Sequence, residues 1–111
     1  MRIFLVPHLP LGRRFMAINL FGLVLSRYEL NATETNHEYI HSLQQRELLW
    51  IFFYLFYSLE WLAKLFLYRS PQKAYLNLSF EREAYARQSD LLYHESRRWY
   101  SWLSYLYKPN N

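Results

Sequence analysis

Apolar and polar positions divide this chain into a short extended start and a long helical remainder. Ile3 to Val6 is a brief apolar run stopped by Pro7 and Pro10, which reads as a short strand. Phe15 to Leu25 is a second apolar run, rich in β-branched and aromatic residues, and predicts a buried strand with Asn19 and Gly22 inside it. Asn31 followed by Glu34 fits a capping box, and no Pro or Gly then occurs before Pro71. A helix is therefore expected from about residue 32 to about residue 68, with a break near Ser58 because so long a helix is uncommon in a small domain. Ser70 and Pro71 suit an N-cap and a first helical position. Ser79 is the expected cap of a helix carrying FEREAYARQ, with Glu81 in its first turn. Ser89 or Asp90 opens a last helix with an apolar face of Leu91, Leu92, Trp99, Trp102, Leu103 and Leu106, and the KPNN tail should fray.

These elements predict one α+β, predominantly helical domain over residues 1–111. It comprises a long helix, two or three further helices and a short N-terminal strand pair. Residues 48–68 need separate treatment, because only Glu60 and Lys64 are charged and they sit at i,i+4, where they can pair. Their length would let them cross a bilayer, but both charges would fall in the second half of the span, which is costly. The favoured expectation is a buried core helix, ahead of a helix at the membrane interface and a true span. No secretory signal pattern is read at the start of the chain, so the expectation is a cytoplasmic protein with a membrane-associated variant of that reading.

Composition narrows the chemistry. The 111 residues contain no Cys, which excludes disulfides, thiolate metal sites and a Cys nucleophile. Any metal must be held by His, Asp or Glu. The net charge of +4 is spread among interspersed acids, with no basic stripe, so nucleic-acid binding is not expected. The aromatic share of 21% is high, and Trp50, Trp61, Trp99 and Trp102 read as core or membrane-interface anchors. A membrane surface and self-association remain open as partners.

The segment His37-Glu38-Tyr39-Ile40-His41 is HExxH, placed on a helix by the capping argument alone. Residues at i and i+4 project from one face, so both imidazoles can reach one ion. Glu38 can approach metal-activated water as general base. Zinc suits such ligands. On the pentapeptide alone, a solvated helix turn is an equally good reading, so a third ligand decides. No Gly or third His follows His41 at the spacing of the extended zinc motif. A carboxylate from a later helix is the remaining option, and Glu47 and Glu60 lie on or beside the same long helix. Glu81, Glu83, Asp90 and Glu95 follow the chain reversal near Pro71.

NHEYIHSLQQ followed by FEREAYA resembles the gluzincin clan of zinc metallopeptidases, in particular its minimal single-domain members and small bacterial HExxH proteins. The likeness covers residues 15–90 loosely, with specific motifs only in the two segments quoted. It implies a zincin-like fold in which His37, His41 and Glu81 hold zinc and Glu38 is the base. Membrane-embedded relatives of that clan carry E-x-x-A-D, which here becomes Glu81-Arg82-Glu83-Ala84-Tyr85. Tyr85 replaces an Asp that orients a ligand His, and Glu83 stays an alternative ligand on a different helical face. The resemblance also implies that Phe15–Leu25 is an edge strand pairing with an extended peptide.

Three further side chains are candidates for support or oxyanion binding. Gln44 could hold a ligand, and Tyr85 and His94 could donate to a tetrahedral intermediate. His8, between two prolines, reads as a loop residue. The resulting expectation is a zinc-dependent peptidase acting on a peptide or protein substrate. The alternative is a non-catalytic helical protein, bound to a membrane or partner, whose metal site is structural or vestigial.

Overall fold

Backbone groups at the start of the first helix are satisfied as the capping pattern requires. A computed structural model describes residues 1–7 and 17–106. His8, the start of the second apolar run at Phe15 and the KPNN tail lie outside those residues. In α1, Ala32–Glu47, the Asn31 side chain accepts from the Glu34 amide at 2.8 Å, and Glu34 accepts from the Asn31 amide at 3.1 Å.

The second apolar run is a hairpin, not one strand. Strands β2, Ala17–Leu20, and β3, Leu23–Ser26, pair antiparallel, and β1, Arg2–Leu5, lies parallel to β3. Phe21 and Gly22 both have positive φ, 53° and 84°, as a tight two-residue hairpin turn of the primed type requires. The order β1-β3-β2 leaves β2 at an edge, above α1. The Asn19 amide donates to the Glu38 carbonyl at 2.9 Å and to Ser42 Oγ at 2.8 Å.

The expected long helix breaks at Leu48–Trp50, not near Ser58, and resumes as α2, Ile51–Tyr68. Leu49 and Trp50 both take positive φ. The Ile51 amide reaches back to the Leu49 carbonyl at 2.6 Å, a γ-turn centred on Trp50. Such residues cost on the order of 1–3 kcal/mol each and need support from their surroundings. Here the turn reverses the chain so that Leu48 and Phe53 enter one core with Phe80 and Trp102. The ring centroids of Phe53 and Phe80 are 4.8 Å apart, and those of Phe80 and Trp102 are 4.5 Å apart.

The expectation of a buried core helix over 48–68 is overturned: Phe53 is the one buried residue of α2. Its inner stripe runs through Phe53, Tyr57, Glu60 and Lys64, at i, i+4, i+7 and i+11. Phe66, on the outer side, is 89% exposed, and Ile51, Leu55, Leu59 and Leu62 are exposed with it. Both charges point inward. Glu60 pairs with Lys64 at 3.4 Å and accepts from the Ser79 amide and hydroxyl at 2.9 and 2.6 Å. Lys64 donates to the Asn77 carbonyl at 2.6 Å.

Ser70 caps α3, Pro71–Leu76, with Pro71 in its first turn, as the pattern predicts. Ser79 does not cap the next helix. Leu78 holds the cap position of α4, Ser79–Arg87, and the Glu60 carboxylate supplies the acceptor from outside. The expected last helix is also divided, into α5, Tyr93–Ser96, and a 3-10 turn, Ser101–Tyr105. Extended backbone at Arg97 and positive φ at Tyr100 separate them. Of the four tryptophans only Trp102 is buried.

If Glu60 caps α4 from α2, Glu60→Ala leaves the Ser79 amide unbonded and Lys64 without its acid. The loss of stability in urea denaturation should be about 2 kcal/mol. An unchanged midpoint would show that the carboxylate is not holding the two helices together.

Candidate metal centre

The i,i+4 geometry of α1 brings His37 and His41 to one point, and α4 delivers a carboxylate to it. His37 Nε2 lies 3.2 Å from His41 Nε2. Glu81 Oε1 lies 3.1 Å from His41 Nε2 and 3.3 Å from His37 Nε2. Three donor atoms thus form a nearly equilateral triangle. An ion with four tetrahedral ligands at 2.0–2.2 Å spaces them about 3.3 Å apart, so this donor set fits one. His37, Glu38 and His41 also offer ligand atoms all within 4.8 Å of one another, close enough to hold a metal ion. Both imidazoles are buried, and Glu81 is 4% exposed, while Glu38 is half-buried.

Each ligand atom is aimed by a partner behind it. His41 Nδ1 lies 2.8 Å from Gln44 Oε1, and His37 Nδ1 lies 2.8 Å from Gln88 Oε1. An amide oxygen only accepts, so both Nδ1 atoms carry a proton and both Nε2 atoms face the triangle. Tyr57 donates to Glu81 Oε2 at 2.8 Å, and Tyr75 also hydrogen-bonds Glu81. Asn36 fastens the end of α4 to α1, donating to the carbonyls of Arg87, Gln88 and Asp90 at 3.3, 2.9 and 2.9 Å.

Electrostatics follow from burial and proximity. Burial opposes a charge on His41, yet the adjacent Glu81 carboxylate, with Glu38 and the Gln44 bond, lifts it to about 9. Burial would raise Glu81, but His41 and His37 hold it well below the usual carboxylate range. Burial raises Glu38, and the two histidines only partly offset this. Metal-free, the site is an imidazolium–carboxylate pair, so an ion entering near neutral pH must displace the His41 proton.

The other candidates separate cleanly. Glu83, the alternative ligand, does not join the triangle: its carboxylate accepts from Gln44, Tyr93 and Arg97. Tyr85 packs its ring edge on His37 at 4.5 Å and hydrogen-bonds Tyr75. The orienting bond to His37 comes from Gln88 instead. His94 stacks on Tyr39 at 5.3 Å, on the side of α1 turned away from His37 and His41, so it is not available to an intermediate there. Gln88, Tyr57 and Tyr75 were not anticipated. Gln88 was legible: Glu81, Tyr85 and Gln88 share one face of α4 at i, i+4 and i+7.

The triangle opens into a cleft of about 910 Å³, walled by β2 on one side and by Tyr54, Tyr57, Trp61 and Leu62 of α2 on the other. Tyr75 and Leu76 of α3 extend the wall. Part of the β2 edge is already engaged. The Asn19 carbonyl accepts from Gln45 at 3.0 Å and from Tyr54 at 3.4 Å, and the Phe21 amide donates to Tyr54 at 2.8 Å. Comparison with protein-family models, with curated proteins and with solved structures finds no match to this chain.

The ion pair makes the metal-free protein pH-sensitive in a defined window. His41, raised from 6.5 to about 9, contributes fully below 6.5 and loses its contribution as pH rises through 9. Glu81, depressed from 4.5, contributes fully above 4.5 and loses its contribution as pH falls through its lowered value. The stability gap between wild type and Glu81→Gln, measured in chelator, should be widest between 4.5 and 6.5 and narrow toward 9. A gap constant across that range would mean the pair is not ionised as described.

Proposed function

We propose that this protein is a zinc-dependent peptidase of gluzincin type. The observation that carries the reading is the convergence of His37 Nε2, His41 Nε2 and Glu81 Oε1 at 3.1–3.3 Å, beside a free carboxylate in an open cleft. His37, His41 and Glu81 would hold the ion. Zinc bound there supplies Lewis acidity, which activates water and polarises a carbonyl. Glu38 lines the cleft one residue from the first ligand and takes the proton of the attacking water. Its affinity for that proton, raised by burial, suits it to carry the proton on to the leaving amine.

Tyr85 stands at the cleft wall with its hydroxyl kept protonated by burial, so it can donate to a developing oxyanion. Peptide, rather than a smaller substrate, is supported by the cleft volume and by the strand along one wall. Main-chain pairing would use β2 on the Ala17 side, since Asn19 and Phe21 are engaged.

Purified protein should carry one zinc per chain, and His37→Ala should abolish it. Glu38→Gln should keep the zinc and lower hydrolysis of a mixed peptide library by roughly 10²–10⁴-fold. Absence of zinc from the wild type, with none taken up on addition, would end this reading. Zinc retained without hydrolysis in the wild type would leave a structural metal clip.

One observation favours a second reading, that of a helical protein associated with a lipid surface. The outer face of the 18-residue α2 is apolar apart from Ser58, both of its charges turn inward, and Trp50 and Tyr68 mark its two ends. It is the one helix among the described residues long and apolar enough to cross a membrane. Aromatic residues at the ends of an apolar face suit the headgroup region. On this reading, protein should sediment with anionic vesicles, and Leu55→Glu with Leu59→Glu should release it. Equal sedimentation of wild type and the double variant would remove α2 as the contact.

A further inference from the structure

Glu83 is fully buried and makes no contact with the donor triangle, yet it is linked to it. Its carboxylate accepts from Tyr93 Oη and Arg97 Nε at 2.7 Å each, from Arg97 Nη2 at 3.0 Å and from Gln44 Nε2 at 2.9 Å. Arg97 is itself held by Glu47 through two bonds of 3.0 and 2.9 Å. Two carboxylates and one guanidinium leave a net negative cluster behind Gln44.

Gln44 is the hinge of this connection, and its orientation is dictated. Its amide nitrogen faces the Phe80 carbonyl at 3.0 Å as well as Glu83, two groups that only accept. Flipping the amide would set its oxygen against both, one of them charged. The amide oxygen must therefore face His41 Nδ1, so that nitrogen must carry the proton.

We propose that Glu83, braced by Arg97 and Tyr93, is a positioning residue of the metal centre: through Gln44 it holds His41 as the Nδ1–H tautomer with Nε2 directed at the ion. The inference rests on the metal-centre reading, but the Nδ1 proton it specifies is held with or without metal. It also accounts for a buried acid placed two residues from the ligand Glu81. A carboxylate in direct contact would make His41 more basic and compete with Glu81 for its charge. The intervening neutral amide orients the ring without placing a second negative charge against it.

Nitrogen-15 spectra of the metal-free wild type, followed upward in pH until the His41 ring is neutral, should then show it protonated at Nδ1 alone. Glu83→Gln should introduce the Nε2–H form and weaken zinc binding about 10-fold, and Gln44→Met should weaken it about 10–100-fold, in competition with a chromophoric chelator. Circular dichroism restricts the comparison to folded variants. A wild type with His41 protonated at Nε2 overturns the proposal and needs no variant. So does a folded Glu83→Gln protein with the wild-type tautomer and zinc affinity. A wild type that takes up no zinc but keeps the Nδ1–H form that Glu83→Gln disturbs would sink the metal reading and leave the positioning role standing.

Discussion

A buried carboxylate must find a positive partner or lose its charge, and α4 buries two of them on opposite faces of nine residues. Glu81 turns toward α1 and meets two imidazoles. Glu83 turns toward the 93–97 segment and meets Arg97. Much of the arrangement follows from satisfying this pair. Arg97 can reach Glu83 because the chain after α5 runs extended, and its second partner, Glu47, fixes the end of α1. The Tyr100 amide and hydroxyl then close over Glu47, at 2.9 Å to its carboxylate and 3.3 Å to its carbonyl. The last turn of α1, the α1–α2 reversal and the C-terminal 3-10 turn are thus tied to one guanidinium.

The two partners differ in kind. Arg97 is a permanent cation whose charge is spent on two fixed acids, which suits a structural clasp. The imidazole pair is conditional: it is cationic only while His41 holds a proton, and it sits in a cluster close enough to hold a metal ion in that proton's place. A helix with one permanent and one exchangeable counter-charge can stay docked while the exchangeable side changes occupant. The core rings assist, since Phe80 lies between Phe53 and Trp102 and anchors the first turn of α4 whatever Glu81 binds.

What could be read in advance was whatever rests on local chemistry. The capping box at Asn31, Pro71 after Ser70, and the shared face of His37 and His41 are fixed within a few residues and were legible. The misreadings have a common physical origin in tertiary contact. The helix break falls at Leu48–Trp50, where neither Gly nor Pro marks it, because the cost of positive φ is met by packing of Leu48 and Phe53. The cap of α4 comes from Glu60 on another helix, a donor–acceptor match with no sequence spacing to reveal it. Glu83 carries the same chemical equipment as Glu81. Only Arg97, 14 residues on, decides that it turns away. Residue type alone marks His94 as a candidate, and its place on the far face of α1 depends on where the last helix breaks.

The remaining feature, the apolar face of α2, follows from how few polar groups so small a chain can assign to each helix. Glu60 and Lys64 are the only charges in α2, and both are consumed in holding the α3–α4 junction. Tyr54 and Tyr57 are consumed by β2 and by Glu81. That leaves the outer side with Ile51, Leu55, Leu59 and Phe66, and with the small hydroxyl of Ser58 exposed beside them. The two sides are not independent, because Trp61 and Leu62 line the cleft while Leu62 is also exposed on the outer face. Any surface that covers the outer face therefore borders the mouth of the cleft. An exposed stripe of this size is costly in water and favours being covered. The helix that braces Glu81 of the candidate metal centre through Tyr57 is the same one that presents the stripe, so covering it and shaping the site are coupled through a single rigid element.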